Sequence, residues 1–234
     1  MDVLSLSKSL VKYLRDNIIT GEFHPGQKLN EIELASDLNI SRAPLREAFY
    51  ALENEHLITR IPRKGAYVTE ISNQNMRELY TAREMIECYA IDLLESENVR
   101  DLPDVYSSLD KASNLSWPPQ FKDQDKLLHC LWVNTDFHVK LVASARNQWL
   151  ISFYDSIVSN LARYQFFCIW LSGQPAASLE MHKQIYDLLR KGAYSKGKKA
   201  LMQHIEYTVQ YIEQQIGEEP VEMTKNIRKI KHIA

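Results

Sequence analysis

No stretch of the chain approaches the roughly 18 to 20 consecutive apolar residues that a membrane-spanning helix needs, which excludes a helical membrane protein. The opening segment, Met1 to Asn17, carries charges through its apolar part and does not read as an export signal, so a cytoplasmic protein is expected. Cysteine is scarce: Cys88, Cys130 and Cys168 are widely spaced, with no Cys-x-x-Cys pair. That excludes a disulfide framework, fits a reducing compartment and predicts three small, buried apolar residues. A glycine-rich phosphate loop, internal repeats and low-complexity runs are missing. So is the bulk positive charge of many nucleic-acid binders, since the formal net charge is −2; any DNA-binding surface must come from local charge.

What remains is a composition typical of soluble globular proteins, 45% hydrophobic and 25% charged over 234 residues, with room for two domains. Leu6, Leu10, Leu14 and Ile18 recur every four positions and predict a first helix from about Leu4 to Thr20. Gly21 ends it, and Pro25-Gly26 makes a turn. A short helix follows, with Ile32, Leu34, Ala35 and Leu38 as its apolar positions, and Asn39 breaks it. Ser41 is the expected N-cap of a third helix, Pro44 fits its first turn, and Leu45, Ala48, Phe49 and Leu52 form one buried stripe. Arg42 and Arg46 lie off that stripe near the N-terminal end, where a recognition helix presents side chains to DNA bases. The alternative is a solvated helix face decorated with arginines. Leu57 to Arg60 and Ala66 to Val68 read as two short strands joined by a basic hairpin, in which Arg63 and Lys64 are candidate phosphate contacts.

From Ser72 onward the pattern is helix upon helix. Breaks fall at Leu102-Pro103, Trp117-Pro118-Pro119, Arg146-Asn147, Ser172 to Pro175 and Gly192. The fold class is therefore mainly α: a winged helix-turn-helix over 1–70, an all-helical bundle over 71–217 and a basic tail over 218–234. Asn134 and His138 are four apart on one helix face, and His182 and His204 come from two later helices. Such a set is a plausible metal site inside a bundle. Arg83 lies among Met85, Ile86, Tyr89 and Ala90. It either points into a pocket, where it could grip a carboxylate, or pairs with Glu87 on the surface.

Two resemblances sharpen these readings. From about Leu4 to Val68 the chain resembles the GntR family of bacterial regulators, through Gly21, PGQKLNE, LASDLNISRAPLREAFYALENEHLI and the wing RKGAYV. The resemblance implies DNA contacts from Ser41, Arg42, Pro44, Arg46, Arg63, Lys64 and Gly65, the glycine letting the wing approach the minor groove. Ile32 stands where many members carry arginine, and His56 replaces a usual glycine. From about Arg77 to Gln215 the chain resembles the FCD ligand-binding domain of the FadR-type branch. Arg83 and Glu87 in RxxxE, Asn134 to His138 in NxxFH, His182 and His204 carry it. It implies metal ligands Asn134, His138, His182 and His204, with a carboxylate-bearing effector beside them and Arg83 as its clamp. The usual aspartate is asparagine at 134, which leaves the ion's charge uncompensated and predicts weaker metal binding. Nitrogen ligands favour zinc or nickel among divalent transition metals.

The resulting expectation is a homodimeric repressor on a near-palindromic operator, responding to a small organic acid. Two rivals stand beside it. One is a metal-dependent hydrolase with a DNA-binding appendage, for which Asp136 is a poorly placed general base; the other is a non-specific architectural DNA binder.

Overall fold

A computed structural model describes residues 3–118, 123–172 and 178–216. The basic tail expected over 218–234, and part of the break expected over 172–175, lie outside the described residues. The order is α1 (Val3–Thr20), β1 (Lys28–Leu29), α2 (Glu31–Asp37), α3 (Arg42–Asn54), β2 (Ile58–Ile61), β3 (Gly65–Val68), α4 (Asn73–Ser96), α5 (Pro103–Ser113), α6 (Gln124–Ser144), α7 (Gln148–Ser172), α8 (Ser178–Arg190) and α9 (Tyr194–Ile216). Among the described residues no helix is long and apolar enough to cross a membrane.

The head is built as its periodicity dictates. Leu10, Leu14 and Ile18 of α1 pack with Leu45, Ala48, Phe49 and Leu52 of α3 around one core. Asn39 takes the left-handed φ of 52° between α2 and α3, a conformation that asparagine tolerates. The Ser41 backbone is extended at the start of α3, but its side chain makes no capping bond. The wing is a three-stranded antiparallel sheet in the order β1-β3-β2. Lys28 pairs with Tyr67 and Leu29 with Ala66, a strand too short to leave a period in the sequence. Ile32 departs from its expected apolar role: it is 64% exposed, because in the seven-residue α2 only the Ala35 side is turned fully inward.

The helical half places α4, α6, α7 and α9 around a core that includes Met76, Ile91, Phe137, Leu141, Leu201 and Ile205. Ser72 caps α4 by accepting from the Asn75 N–H at 3.1 Å, and Pro103 opens α5 where its missing N–H costs little. All three cysteines are buried. The two halves are not separate beads. Ile19 of α1 is fully buried in a cluster with Leu127, Leu131, Ala162 and Phe166 of α6 and α7.

Candidate functional site

Two sites emerge, one on the head and one inside the bundle. On the head, Arg42 and Arg46 stand on the outer face of α3, each about half exposed. One carboxylate of α2 holds both: Glu31 Oε2 lies 3.4 Å from Arg42 Nη2 and 3.0 Å from Arg46 Nε. Burial would raise the Glu31 pKa, but the bonds from Arg46 and Arg42 outweigh it and hold the carboxyl below its usual range. Ser41, Arg63, Lys64 and Gly65 are also exposed. Pro44 is the exception among the expected DNA contacts. Its ring is buried with Leu45, so it shapes the start of α3 and does not reach outward.

The wing explains its own glycine. Gly65 has φ 110°, and an added Cβ would sit 3.3 Å from Lys28 Cε, so only glycine turns the chain there without strain. Neighbouring residues that the pattern did not single out also shape this surface. Arg60 stacks over the exposed Tyr50 ring at 4.0 Å, and Glu31 restrains both α3 arginines. Neither contact follows a helical or strand period, so the sequence carries no signal for it.

Inside the bundle, His138 of α6, His182 of α8 and His204 of α9 converge, all three buried. His138 Nε2 is 3.0 Å from His182 Nε2, which is 3.2 Å from His204 Nε2. Phe137 stacks on His182 at 4.3 Å and fixes its plane. Burial comes first in pushing all three imidazoles well below their ordinary pKa; Arg83 adds to the effect at each, and the histidines depress one another at His182 and His204. They are therefore neutral near pH 7, the form that offers a lone pair to a metal. Nitrogens around zinc at about 2.0–2.1 Å would stand about 3.3 Å apart, close to the 3.0 Å between His138 and His182 and the 3.2 Å between His182 and His204. The residues fit a divalent metal.

Asn134 lines the same cavity, but its Oδ1 accepts a bond from Ser178 Oγ at 3.1 Å. The cavity holds only about 30 Å³, walled also by Gln165, Cys168, Ile169 and Thr208. That is room for an ion with a water or so, not for a metabolite.

Arg83 satisfies both expected descriptions in part and neither fully. It pairs with Glu87, with Nε donating to Oε1 at 2.7 Å, yet both side chains are buried, not on the surface. Burial alone would lower its pKa, and the Glu87 carboxylate leads the groups that raise it above the ordinary value. Glu87 is the centre of the network: His138 Nδ1 meets its Oε2 at 2.7 Å, and Tyr154 Oη donates to its Oε1 at 2.9 Å. A carboxylate behind a candidate ligand histidine fixes the ring's tautomer and orientation. Spacing offers Glu87 as a helical neighbour of Arg83, but nothing in the sequence points to Tyr154, 67 residues away.

Comparison with known proteins gives these sites a context. Residues 6–68 match the family described as bacterial regulatory proteins, gntR family, and residues 78–207 match the FCD domain. The chain is 26% identical over 219 residues to the HTH-type transcriptional regulator YdhC of Bacillus subtilis, covering 88% of this chain and 91% of that one. It is 28% identical over 180 residues to the HTH-type transcriptional repressor GlaR of Escherichia coli, covering 75% of this chain and 78% of that one. A GntR protein solved from Rhodococcus sp. RHA1 superposes with a TM-score of 0.69 at 25% identity, covering 89% of this chain and 97% of that one. These families and relatives are transcriptional regulators, not enzymes, and the hydrolase alternative finds no support in them.

Proposed function

Because the chain belongs to the GntR family of bacterial regulatory proteins and carries an FCD domain, we propose that it is a cytoplasmic, homodimeric transcriptional repressor controlled by a small organic acid. In this reading residues 1–70 form the DNA-binding head, 71–217 the sensor, and 218–234 a basic tail. Arg42 and Arg46 read base edges, Arg63 and Lys64 hold phosphates, Ser41 accompanies them, and Gly65 lets the wing come close. His138, His182 and His204 hold a divalent transition metal, zinc or nickel, with Asn134 as a candidate fourth ligand once it turns from Ser178. Bound there, the metal would supply positive charge to an anionic effector, and Arg83 is the candidate clamp for the effector's carboxylate.

The observation that carries a ligand-responsive reading is the placement of α7. Its Gln165, Cys168 and Ile169 wall the cavity. On the same helix, Ser159 donates to Glu55 Oε2 at 2.8 Å, Asn160 to the Glu55 carbonyl at 2.6 Å, and Arg163 to Thr69 Oγ1 at 2.9 Å. An acid cannot enter a cavity of about 30 Å³ without moving its walls. One of those walls is the helix that holds the head. The effector would thus favour one head placement by the difference in its affinity for the two states.

The test is His182→Ala in the full-length protein, read by elemental analysis and native mass spectrometry. Loss of metal from an otherwise intact, DNA-binding dimer is the expected result. Full metal content in the variant removes the ligand assignment.

A further inference from the structure

His138 has one lone pair to give, and two groups lie where they can claim it. Its Nδ1 faces Glu87 Oε2 at 2.7 Å, and that carboxylate also receives Arg83 Nε and Tyr154 Oη. A carboxylate ringed by donors acts as acceptor only, so Nδ1 carries the ring proton and Nε2 carries the lone pair. Arg83 Nη2 reaches that Nε2 at 2.7 Å. On the cluster side, His182 Nε2 stands 3.0 Å from the same atom. The imidazole nitrogen has a single in-plane lone pair, which cannot serve a guanidinium N–H and a metal ion together.

We propose that Arg83 is an internal cation competing with the metal: it occupies the His138 lone pair that a metal at the three-histidine cluster needs, and metal loading must displace it. The inference rests on the reading of His138, His182 and His204 as ligands and adds a regulator to it. Burial supports it. Arg83 is 1% exposed and Glu87 is 0% exposed, so the guanidinium cannot turn to water when it yields; it must find another partner within the protein or in an entering anion. Its Nη1 is already buried without a hydrogen-bond partner. Displacement of Nη2 therefore adds a second unsatisfied donor beside the first, the pair that a carboxylate accepts in two parallel bonds. Metal loading would by this route prepare the acid clamp, while in the metal-free protein the clamp is spent on His138.

The competition fixes the sign of a mutational effect that a purely structural role would reverse. If Arg83 merely orients Glu87 and His138, removing it loosens the metal site. If it competes, Arg83→Met tightens the site. The measurement is the affinity of the full-length protein for Zn²⁺ alone, by titration against a chromophoric chelator. Arg83→Met is expected to bind about tenfold or more tightly than the wild type, the size of effect that partners of metal ligands exert. Equal or weaker binding overturns the proposal. Should Arg83→Met fail to fold, NMR of wild-type protein carrying ¹⁵N-labelled arginine and histidine decides. One equivalent of Zn²⁺ is expected to abolish the Arg83–His138 hydrogen bond, and its persistence in the zinc-loaded protein overturns displacement. Failure of the underlying reading looks different: His204→Ala would then bind Zn²⁺ as the wild type does, or the wild type would bind none, and both ideas fall together.

Discussion

Arg163 reaches from α7 to the end of the wing and donates through Nη1 to Thr69 Oγ1 at 2.9 Å. Its Nε and Nη2 are buried without a hydrogen-bond partner, and burial pulls its pKa down to about 10. A guanidinium in the joint between head and sensor is thus satisfied by one neutral hydroxyl. Around it the joint is polar as well. Glu55 takes Ser159 and Arg15, and Tyr164 Oη donates to the Ser72 carbonyl at 3.2 Å. Such polar contacts fix a docking geometry while adding little net stability, beside the apolar contact that Ile19 makes with α6 and α7.

Replacing Arg163 by methionine keeps the length and removes a buried charge that Glu70 offsets only in part. We expect Arg163→Met to be neutral or stabilising, by up to about 1–4 kcal/mol, in urea unfolding of the full chain. A loss of several kcal/mol would mean that the buried cation has a partner of more weight than Thr69.

Glu31 restrains the two arginines that the DNA reading needs. Glu31→Gln removes a negative charge from the same surface and frees Arg42 and Arg46. DNA affinity should rise, with a steeper dependence on salt, measurable by fluorescence anisotropy across a salt series. Unchanged affinity and slope would place those arginines away from the phosphates and bases.

Asn134 offers a neutral oxygen beside three neutral imidazoles. Asn134→Asp supplies a carboxylate that offsets part of the ion's charge, and should raise zinc affinity in a chelator competition. Unchanged zinc binding in that variant would exclude position 134 from the ligand set.

The histidine cluster makes acid stability predictable in sign. The folded-state pKa values of His138, His182 and His204 all lie below the unfolded value of about 6.5. Between those values the unfolded chain binds more protons, so stability rises with pH through that window and is lost as pH falls below about 6.5. Thermal unfolding of metal-free protein at a series of pH values should show a midpoint that drops on acidification. The triple variant with all three histidines replaced by glutamine should lose much of that slope, and an equal slope would assign it to other groups.

How much of this was legible in the sequence depends on the range of the interaction. The stripe Leu45, Ala48, Phe49 and Leu52 announces α3 because a helix repeats its buried face every three or four residues. The i, i+4 spacing of Asn134 and His138 places both on the cavity wall. Two later histidines complete the cluster: an i, i+4 pair plus one histidine from each of two later helices suggested a bundle site, and the family resemblance named the same residues as ligands. Depth was not legible. Arg83 and Glu87 have the spacing of a surface pair, and only the packing of α4 against α6 and α7 puts them at 1% and 0% exposure. Apolar character misled at Ile32, where a short helix turns an isoleucine outward. The head–sensor joint was invisible as well, because Glu55 and Ser159 are 104 residues apart and neither belongs to a periodic pattern.

The most direct measurement is selection of bound sequences from a random DNA pool by the full-length protein at low salt, run in parallel with Arg46→Ala. The wild type is expected to enrich one near-palindromic sequence, and Arg46→Ala to lose about 1–3 kcal/mol on that sequence with a relaxed base preference. If the wild-type protein enriches no sequence over the starting pool, the recognition role of α3 is contradicted.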